Sequence, residues 1–369
     1  KKVLLPCTDN RRKEAFDDYV KCEYEVQDRT RERALQPHNS RSEFVLLSRL
    51  LWGNALAPVA NLVAGAETRP RHGPGATAEG IRGNAKYTHT RWHSRLETFF
   101  PASSYRLCSL QEVLDGGLSA IDFVEPDAEQ PVRVISVPKT LKTPRIIAIE
   151  PVCMQYTQQS ILVPLVNQLE GHWITGGHVN FRDQTVNQRL ALENSLSGNY
   201  ATVDLSEASD RVALDLVEDM LSGVPDLRDA ILACRSTRAN LPTGHILTLS
   251  KFASMGSALC FPVEAMMFFT IIVLARLQRA NLRCTLRNVF RVSRSIYVYG
   301  DDIIVPADEV LPISRWLEDF GLKVNGHKTF SHGKFRESCG VDAFMGVDVT
   351  PVYLRRVIPV NRRCTSELV

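Results

Sequence analysis

Two adjacent carboxylates lie in an apolar setting within residues 295–306, whose sequence is SIYVYGDDIIVP. β-Branched and aromatic residues flank Gly300, Asp301 and Asp302, a pattern typical of a β-hairpin that carries both acids at its tip. Two carboxylates about 4 Å apart repel by roughly 4 kcal/mol at an effective dielectric near 20. A solvated turn can keep such charges apart, but the apolar flanks favour a cation that neutralises them.

A second acidic position lies upstream, in residues 200–211 with the sequence YATVDLSEASDR. The pattern predicts a strand that enters a helix, with Asp204 at the end of the strand, where it can meet the hairpin tip across a sheet. Carboxylates from two strands are the minimum for a two-metal site, in which ions about 3.5–4 Å apart clamp the oxygens of a phosphoryl displacement. Magnesium suits such a site because it takes few protein ligands.

Basic residues concentrate in residues 131–149, which predict two strands around a Lys-Thr-Leu-Lys-Thr-Pro turn. Arg133, Lys139, Lys142 and Arg145 would repel one another unless water or an anion intervenes, and a triphosphate is a suitable anion. The alternative is an exposed basic edge that deters aggregation. The downstream acidic motifs favour triphosphate binding.

Three further residues could contact the sugar of a nucleotide. Asp210 is predicted in the first turn of a helix over 208–221, where the helix dipole favours a carboxylate. It is either a helix-start residue or a hydrogen-bond acceptor, for a ribose 2′-hydroxyl or for a residue of the segment 254–257 that reads this hydroxyl. Gly256 permits a close backbone approach, and Ser257 offers a hydroxyl to the sugar or the template.

Residues 67–106 interleave arginine and lysine with aromatic residues. Such a mixture suits a surface for single-stranded nucleic acid, which combines phosphate pairing with base stacking. Arg82 and Lys86 are the candidate RNA contacts. The alternative is a loop region whose aromatic side chains anchor it to the core.

The composition is that of an ordinary globular protein with 369 residues, a net charge of +3 and nine cysteines. The length allows two or three subdomains. No Cys-x-x-Cys pair occurs, which favours free thiols in a reducing cytosol. The most apolar run, 265–275, is too short for a membrane span, and no membrane partner or signal peptide is expected. The sequence begins with Lys1 and not with methionine, so we expect the chain to be a fragment.

These motifs resemble motifs A, B and C of viral RNA-dependent RNA polymerases, and their wording is closest to the replicase catalytic (β) subunit of single-stranded RNA bacteriophages, the leviviruses. Motif A corresponds to Asp204 with Asp210, motif B to Ser254-Met255-Gly256-Ser257, and motif C to Tyr299-Gly300-Asp301-Asp302. Residues 137–151 resemble the basic nucleotide-entry motif of that family. Residues 335–340 and 346–351 resemble its palm-to-thumb segment. The resemblance covers about residues 131–354.

The resemblance implies an α/β (α+β) right-hand polymerase with fingers and palm, whose antiparallel palm sheet is backed by helices. The implied N-terminal and fingers region is 1–130, and the fingers with the nucleotide-entry motif are 131–199. The palm with motifs A to D is 200–354, with an inserted fingers segment at about 223–253. Residues 355–369 would begin a truncated thumb.

The same resemblance implies the chemistry. Asp204 and Asp301 would be the main ligands of two Mg²⁺ ions, with Asp302 supporting, and Mn²⁺ could substitute for Mg²⁺. Lys139, Lys142 and Arg145 would hold the triphosphate. Lys328, in a motif D position, would protonate the leaving pyrophosphate, with Lys323 as the fallback and an ordinary surface lysine as the alternative. The family more often has Asn where this chain has Ser257.

The implied function is template-directed ribonucleotide addition to an RNA 3′ end, replicating a positive-strand RNA phage genome in the cytoplasm of a bacterial host. Partners would be the RNA template and product, ribonucleoside triphosphates and host translation factors. Alternatives are a narnavirus- or mitovirus-like polymerase and an inactive RNA-binding assembly subunit. A reverse transcriptase is disfavoured, because such enzymes usually have an aromatic gate near the position of Asp210.

Overall fold

The computed structural model describes residues 2–3, 7–35, 39–107, 110–117, 119–137, 143–351 and 353–354. The α-helices are α1 Asp9–Leu35, α2 Asn39–Ala55, α3 Ala57–Ala64, α4 Ala102–Tyr105, α5 Leu110–Leu114, α6 Val152–Gly171, α7 Thr185–Ser197, α8 Leu214–Met220, α9 Pro225–Ala233, α10 Cys260–Arg279, α11 Leu286–Ser293 and α12 Val310–Asp319. The strands are β1 Lys2–Val3, β2 Arg91–His93, β3 Asp122–Val124, β4 Val132–Val137, β5 Arg145–Ile149, β6 Tyr200–Val203, β7 Arg238–Asn240, β8 Ile246–Thr248, β9 Tyr297–Tyr299, β10 Asp302–Pro306, β11 Phe335–Ser338, β12 Val341–Phe344, β13 Val347–Asp348 and β14 Tyr353–Leu354.

A three-stranded antiparallel sheet in the order β6-β10-β9 carries the predicted acidic motifs. β9 and β10 form the predicted hairpin, and β10 pairs with β6 so that Ile303 lies opposite Val203. Continuing this register by one residue brings Asp204 to the same sheet edge as the hairpin tip. The predicted α/β class, with helices behind an antiparallel sheet, is therefore confirmed.

Helix α10 forms the centre of the core, because its sequence is apolar on every side. Phe268 and Phe269 are fully buried, and Thr270 accepts a hydrogen bond from Trp52 Nε1 of α2 at 3.0 Å. Helix α12 also packs on α10. Among the described residues, α10 alone is long and apolar enough to cross a membrane, but 89% of its most apolar window is buried inside the protein.

A second sheet, in the order β5-β4-β7-β8, lies under helix α1. The predicted strand pair of residues 131–149 corresponds to β4 and β5, which are antiparallel. Tyr19 of α1 belongs to the small apolar cluster of this sheet, with Phe16 and Val20 packed against it. Helix α1 thus connects the second sheet to the segment that follows β6.

The helix predicted over 208–221 begins later than expected. Residues 209–211 form a short 3-10 turn, the backbone is extended at Ala213, and α8 starts only at Leu214. The extension has a physical cause, since Ala213 pairs as an isolated bridge with Lys251. The apolar side chains of this stretch are nevertheless buried, as expected for one face of a helix, and they include Val212, Leu216 and Leu221.

Candidate active site

An open cavity of about 790 Å³ lies at the edge of the β6-β10-β9 sheet. Its walls come from six separate parts of the chain: helix α1, the start of β5, the segment after β6, the loop before α10 with the start of that helix, the hairpin tip, and residues 325–328. Asp204, Asp210, Arg145, Asp301 and Lys328 all line it. The structure therefore brings together most of the site residues that the sequence predicted.

Asp204 directly follows β6 and is held from one side by residues 325–329. Its Oδ2 accepts a hydrogen bond from Asn325 Nδ2 at 2.8 Å, and its backbone N–H donates to Thr329 Oγ1 at 3.3 Å. Lys328 Nζ lies 3.6 Å from Asp204 Oδ1 and 3.7 Å from Glu337 Oε1. Burial lowers the pKa of Lys328, but the two carboxylates outweigh it and the pKa is raised.

Asp301 is exposed at the hairpin tip and lines the cavity. Gly300 before it has φ +60°, and a Cβ there would lie 1.8 Å from Cε2 of Phe261 on the first turn of α10. Only glycine fits this approach, since the conformation also disfavours other residues. The tip is therefore seated directly on the aromatic ring of α10.

Asp302 has a different environment from the one predicted. It does not line the cavity, and its Oδ1 accepts hydrogen bonds from Ser338 Oγ at 3.2 Å and Cys339 N at 3.0 Å. Burial raises the pKa of Asp302. Asp301 lies in the turn, whereas Asp302 is the first residue of β10 and is joined to the β11–β12 turn through its Oδ1. Asp302 therefore helps to fix the hairpin, and its role as a metal ligand stays a prediction.

Asp210 lies in the 3-10 turn rather than in the first turn of an α-helix, as noted above. Its Oδ1 accepts hydrogen bonds from Ser254 Oγ at 2.8 Å and Lys251 Nζ at 2.9 Å. A buried ammonium therefore stabilises this carboxylate, in place of the predicted helix dipole.

The predicted sugar-contact residues of the loop before α10 are both tied to the protein. Gly256 has φ +129°, and a Cβ there would lie 2.0 Å from the carbonyl oxygen of Ala148 in β5. Ser257 Oγ donates to Gln158 Oε1 at 3.2 Å. Gly256 is thus required for close approach, but to β5. Ser257 gives its single proton to Gln158, and its oxygen keeps acceptor capacity for a sugar hydroxyl.

Glu264 of α10 is a cavity residue that sequence reasoning missed. It is 5% exposed, and its buried Oε2 has no hydrogen-bond partner within the described residues. Its pKa is raised well above the usual value, first by burial and then by Asp301 and Asp210. A signal was present, because Glu264 is the only charged residue between Lys251 and Arg276.

Two of the three predicted triphosphate ligands, Lys139 and Lys142, lie outside the described residues. The third, Arg145, is exposed at the start of β5 and lines the cavity. Its position agrees with a role at the nucleotide, which stays a prediction.

Lys86, a predicted RNA contact, is 1% exposed. Its ammonium donates to the carbonyl oxygens of Gly73, at 2.6 Å, and Gly75, and to Gln155 Oε1 at 3.3 Å. Lys86 thus binds protein carbonyls, and its predicted role in RNA binding is wrong. Arg82 is exposed, and its RNA contact stays a prediction.

The aromatic residues of the same region also pack inward. Trp92 and Phe100 are fully buried, and Tyr105 is 3% exposed. The alternative of aromatics that anchor residues 67–106 to the core therefore describes these three side chains, whereas Tyr87 is 46% exposed.

Asp204 and Asp301 are the candidate metal ligands of the cavity. Within the described ranges, no group of three His, Cys, Asp or Glu side chains is arranged to hold an ion by itself. Magnesium commonly takes only one or two carboxylates, with water and substrate phosphates completing its octahedron. Asp204 and Asp301, at one sheet edge and on one cavity, fit that requirement.

The antiparallel sheet, the acid-bearing hairpin and the helices behind them are the arrangement expected for the palm of a right-hand polymerase. The family model described as RNA replicase, beta-chain, matches residues 118–363. The chain therefore belongs to this family, and the predicted resemblance is confirmed.

Two curated relatives document the similarity. The RNA-directed RNA polymerase subunit beta of Enterobacteria phage SP is 38% identical over 237 residues, covering 64% of this chain and 38% of the relative. The protein of the same name from Qbeta virus (strain MX1) is 40% identical over 226 residues, covering 61% and 36%. The chain thus spans little more than a third of the length of these relatives.

A solved structure of the BmCPV RNA-dependent RNA polymerase at elongation state is also similar, with a TM-score of 0.48 and 11% identity. The matched region covers 83% of this chain and 28% of that one.

Proposed function

We propose that this chain carries the catalytic centre of an RNA-dependent RNA polymerase, which adds ribonucleotides to an RNA 3′ end on an RNA template. The observation that carries the proposal is the meeting of Asp204 and Asp301 at one sheet edge, on a cavity that Arg145, Asp210 and Lys328 also line. Membership of the RNA replicase beta-chain family supports the same chemistry.

Asp204 and Asp301 are the residues that would bind the magnesium ions. When bound, such ions lower the barrier of phosphoryl transfer by stabilising charge on the attacking and leaving oxygens; manganese has the same preference for oxygen donors. Asp302 keeps the hairpin in place through its bonds to residues 338 and 339.

The predicted cationic site residues have two different roles. Arg145, together with Lys139 and Lys142, holds the triphosphate and offsets its charge. Lys328 is the general acid that protonates the leaving pyrophosphate. Its pairing with Asp204 and Glu337 keeps the ammonium charged and beside the catalytic carboxylate until it is needed. A lysine ammonium is protonated at neutral pH without any such shift, so a proton is available at this position.

Asp210 is the acceptor for the ribose 2′-hydroxyl, and this contact makes the enzyme select ribonucleotides. A site built to bond a hydroxyl rejects a substrate that lacks it, since the polar group of the site is then left unpaired. Replacing Asp210 with Ala should narrow the preference for ribonucleotides over deoxyribonucleotides.

The biological setting follows from the family. We propose replication of a positive-strand RNA phage genome in the cytoplasm of a bacterial host, with RNA and ribonucleoside triphosphates as substrates. Host translation factors are the expected protein partners. Residues 131–199 and the segment 223–253 would serve as fingers, and residues 200–354 as the palm.

Primer extension on an RNA template, with and without Mg²⁺, is the direct test. We expect magnesium-dependent extension by the chain, and a loss of several orders of magnitude in Asp204→Asn, which keeps the shape of the side chain but removes its charge. RNA affinity of the variant should stay within about threefold, because Asp204 faces the metal site and not the RNA backbone. Near-normal extension by Asp204→Asn would refute the assignment. Tight RNA binding by the parent chain without extension would favour an inactive RNA-binding subunit.

A further inference from the structure

A buried network extends from Asp210 on the cavity wall back to helix α1. Ser254 Oγ donates to Asp210 Oδ1 at 2.8 Å, and the hydroxyl of Tyr19 lies 3.0 Å from the same Ser254 oxygen. Because Ser254 has a single proton and gives it to Asp210, the Tyr19 hydroxyl must be the donor to Ser254. The result is a directed chain of hydrogen bonds from Tyr19 through Ser254 to Asp210.

Lys251 connects the same carboxylate to α1 by a second route. Its ammonium is completely buried, lies 2.9 Å from Asp210 Oδ1 and 3.5 Å from Glu23 Oε2, and sits 3.6 Å from the ring centroid of Tyr19. Burial alone would lower the pKa of Lys251, but the neighbours, Asp210 foremost, outweigh it and the pKa is raised. A buried ammonium of this kind is tolerated only with well-placed partners, so the network has little freedom to rearrange.

This network fixes one oxygen of Asp210 and leaves the other available. Both protein donors contact Oδ1, and Oδ2 has no hydrogen-bond donor among the residues that the structure describes. The Asp210 side chain is 17% exposed and lines the cavity. The oxygen that remains for a ligand is therefore Oδ2. Its orientation is fixed by the bonds of Ser254 and Lys251 to Oδ1.

Two of the residues that fix the orientation of the Asp210 carboxylate lie outside the part of the chain that the family model matches. Tyr19 and Glu23 precede residue 118, where the match to the family model begins. Both are nevertheless buried, at 4% and 2% exposure, against the segments that carry motifs A and B. Helix α1 thus adds a rear wall to a cavity whose chemistry comes from the later segments.

We propose that Tyr19 is a positioning residue for sugar selection. Through Ser254, and with Lys251 and Glu23, it holds Asp210 so that Oδ2 accepts the 2′-hydroxyl of the incoming nucleotide. The inference rests on the proposed function and deepens it, because it assigns selection between ribose and deoxyribose to a helix remote in sequence from the catalytic motifs. A fixed acceptor discriminates more strongly than a free one, since it cannot turn to another partner when the hydroxyl is missing.

The test replaces Tyr19 with Phe, which keeps the ring over Lys251 and removes only the hydroxyl. The measured quantity is the ratio of kcat/KM for UTP to kcat/KM for dUTP in primer extension, which is independent of the active fraction of the preparation. We expect the ratio to fall by about two- to tenfold, the usual worth of one hydrogen bond. Tyr24→Phe is the matched control on the same helix, with a side chain that is 50% exposed, and its ratio should equal that of the parent.

A double-variant comparison separates positioning from general loosening of the cavity. Ser254→Ala should lower the same ratio, and Tyr19→Phe combined with Ser254→Ala should lower it no further, because both changes interrupt one chain of hydrogen bonds. Ser254→Thr, which restores a hydroxyl, should recover most of the selectivity. Full additivity of the two single changes would overturn the proposal.

A measurement without catalysis distinguishes failure of this inference from failure of the proposed function. UTP should raise the melting temperature of the chain more than dUTP does, and Tyr19→Phe should shrink the difference. An unchanged kcat/KM ratio or an unchanged melting difference in Tyr19→Phe would overturn the positioning role. The parent chain could fail to extend a primer and still be stabilised more by UTP than by dUTP, in a manner that depends on Tyr19. That result would contradict the polymerase activity and support the positioning role.

Discussion

The cavity at the palm sheet and the segment 67–106 both enclose charged side chains in apolar surroundings, but they pair those charges differently. In the segment, the ammonium of Lys86 donates to the carbonyls of Gly73 and Gly75 and to the side chain of Gln155. In the cavity, the side chain of Asp301 is exposed. Asp210 accepts both of its described hydrogen bonds at Oδ1, so Oδ2 is available to a ligand. A charge that the protein satisfies from every side is structural, whereas one satisfied from a single side is available to a ligand.

The sharpest way to break this comparison is to neutralise an available charge. Asp301→Asn should reduce primer extension by about three orders of magnitude or more, because the proposed metal ligand is weakened where charge builds up in the transition state. Melting temperature should change little, since the side chain is exposed. Asp308→Asn is the control, as an exposed acid paired with Arg279, and it should extend normally. Comparable extension by both variants would refute the distinction.

Lys328 should give the next largest effect. Removing a positioned proton donor commonly costs about 10²–10⁴-fold, and we expect Lys328→Ala to lower kcat by about a hundredfold while KM for nucleotides changes less. Single-turnover incorporation measures this step.

Lys323→Ala provides the control for Lys328, since Lys323 is an exposed lysine five residues upstream. A larger loss in Lys323→Ala than in Lys328→Ala would transfer the proton-donor role to the fallback residue.

Lys86 should show the opposite behaviour, with an effect on stability and little on RNA. Lys86→Met leaves buried carbonyl oxygens without a donor, which costs about 1–3 kcal/mol in unfolding free energy. Chemical denaturation measures this loss, and RNA affinity of the folded variant should be unchanged.

Arg82→Met is the matched control in the same segment. Because Arg82 is exposed, its unfolding free energy should stay within about 0.5 kcal/mol of the parent. Weaker RNA binding by Arg82→Met, but not by Lys86→Met, would sharpen the division between available and satisfied charges.

The smallest effect concerns acid sensitivity of the segment. Burial, and then nearby arginines led by Arg95, lower the pKa of His93 to about 3, against about 6.5 in an unfolded chain. The unfolded state therefore binds the proton first, so the stability contribution is complete above pH 6.5 and declines as the pH falls towards 3. Between pH 6.5 and 5.5 the loss should be about 1 kcal/mol.

The check is urea denaturation at several pH values for the parent and for His93→Gln. The variant, which has no proton to gain at this position, should decline less steeply over the acidic range. Parallel pH profiles would show that His93 is charged or solvated in the folded protein.

The catalytic motifs could be predicted from the sequence because they break local rules. Asp301 and Asp302 interrupt an apolar β pattern, and Asp204 ends another, so burial of the flanks forces the acids to one edge. The environment of each individual acid could not be predicted in the same way. Nothing in the local sequence distinguishes Asp301 from Asp302, whose environments depend on the turn at residues 338–339.

The burial of Lys86 could not be predicted for a related reason. Composition reports which charges are present, but not whether backbone carbonyls surround them. Lys86 is buried because the loop at Gly73–Gly75 encloses its ammonium. Similarly, the partner of Asp210 could not be predicted locally, because Lys251 is 41 residues away. The available signal was that Lys251 is the only charged residue in 246–255.

The central position of α10 has a consequence for the order in which the chain is made. Its coverings lie on both sides in sequence, with α2 upstream and α12 downstream, and α12 ends at residue 319, which is 319 − 279 = 40 residues after the end of α10. At about 5–20 residues per second, the ribosome needs about 2–8 s to supply that cover. For this interval the nascent chain presents an apolar helix that α12 does not yet cover, so chaperones have access to it.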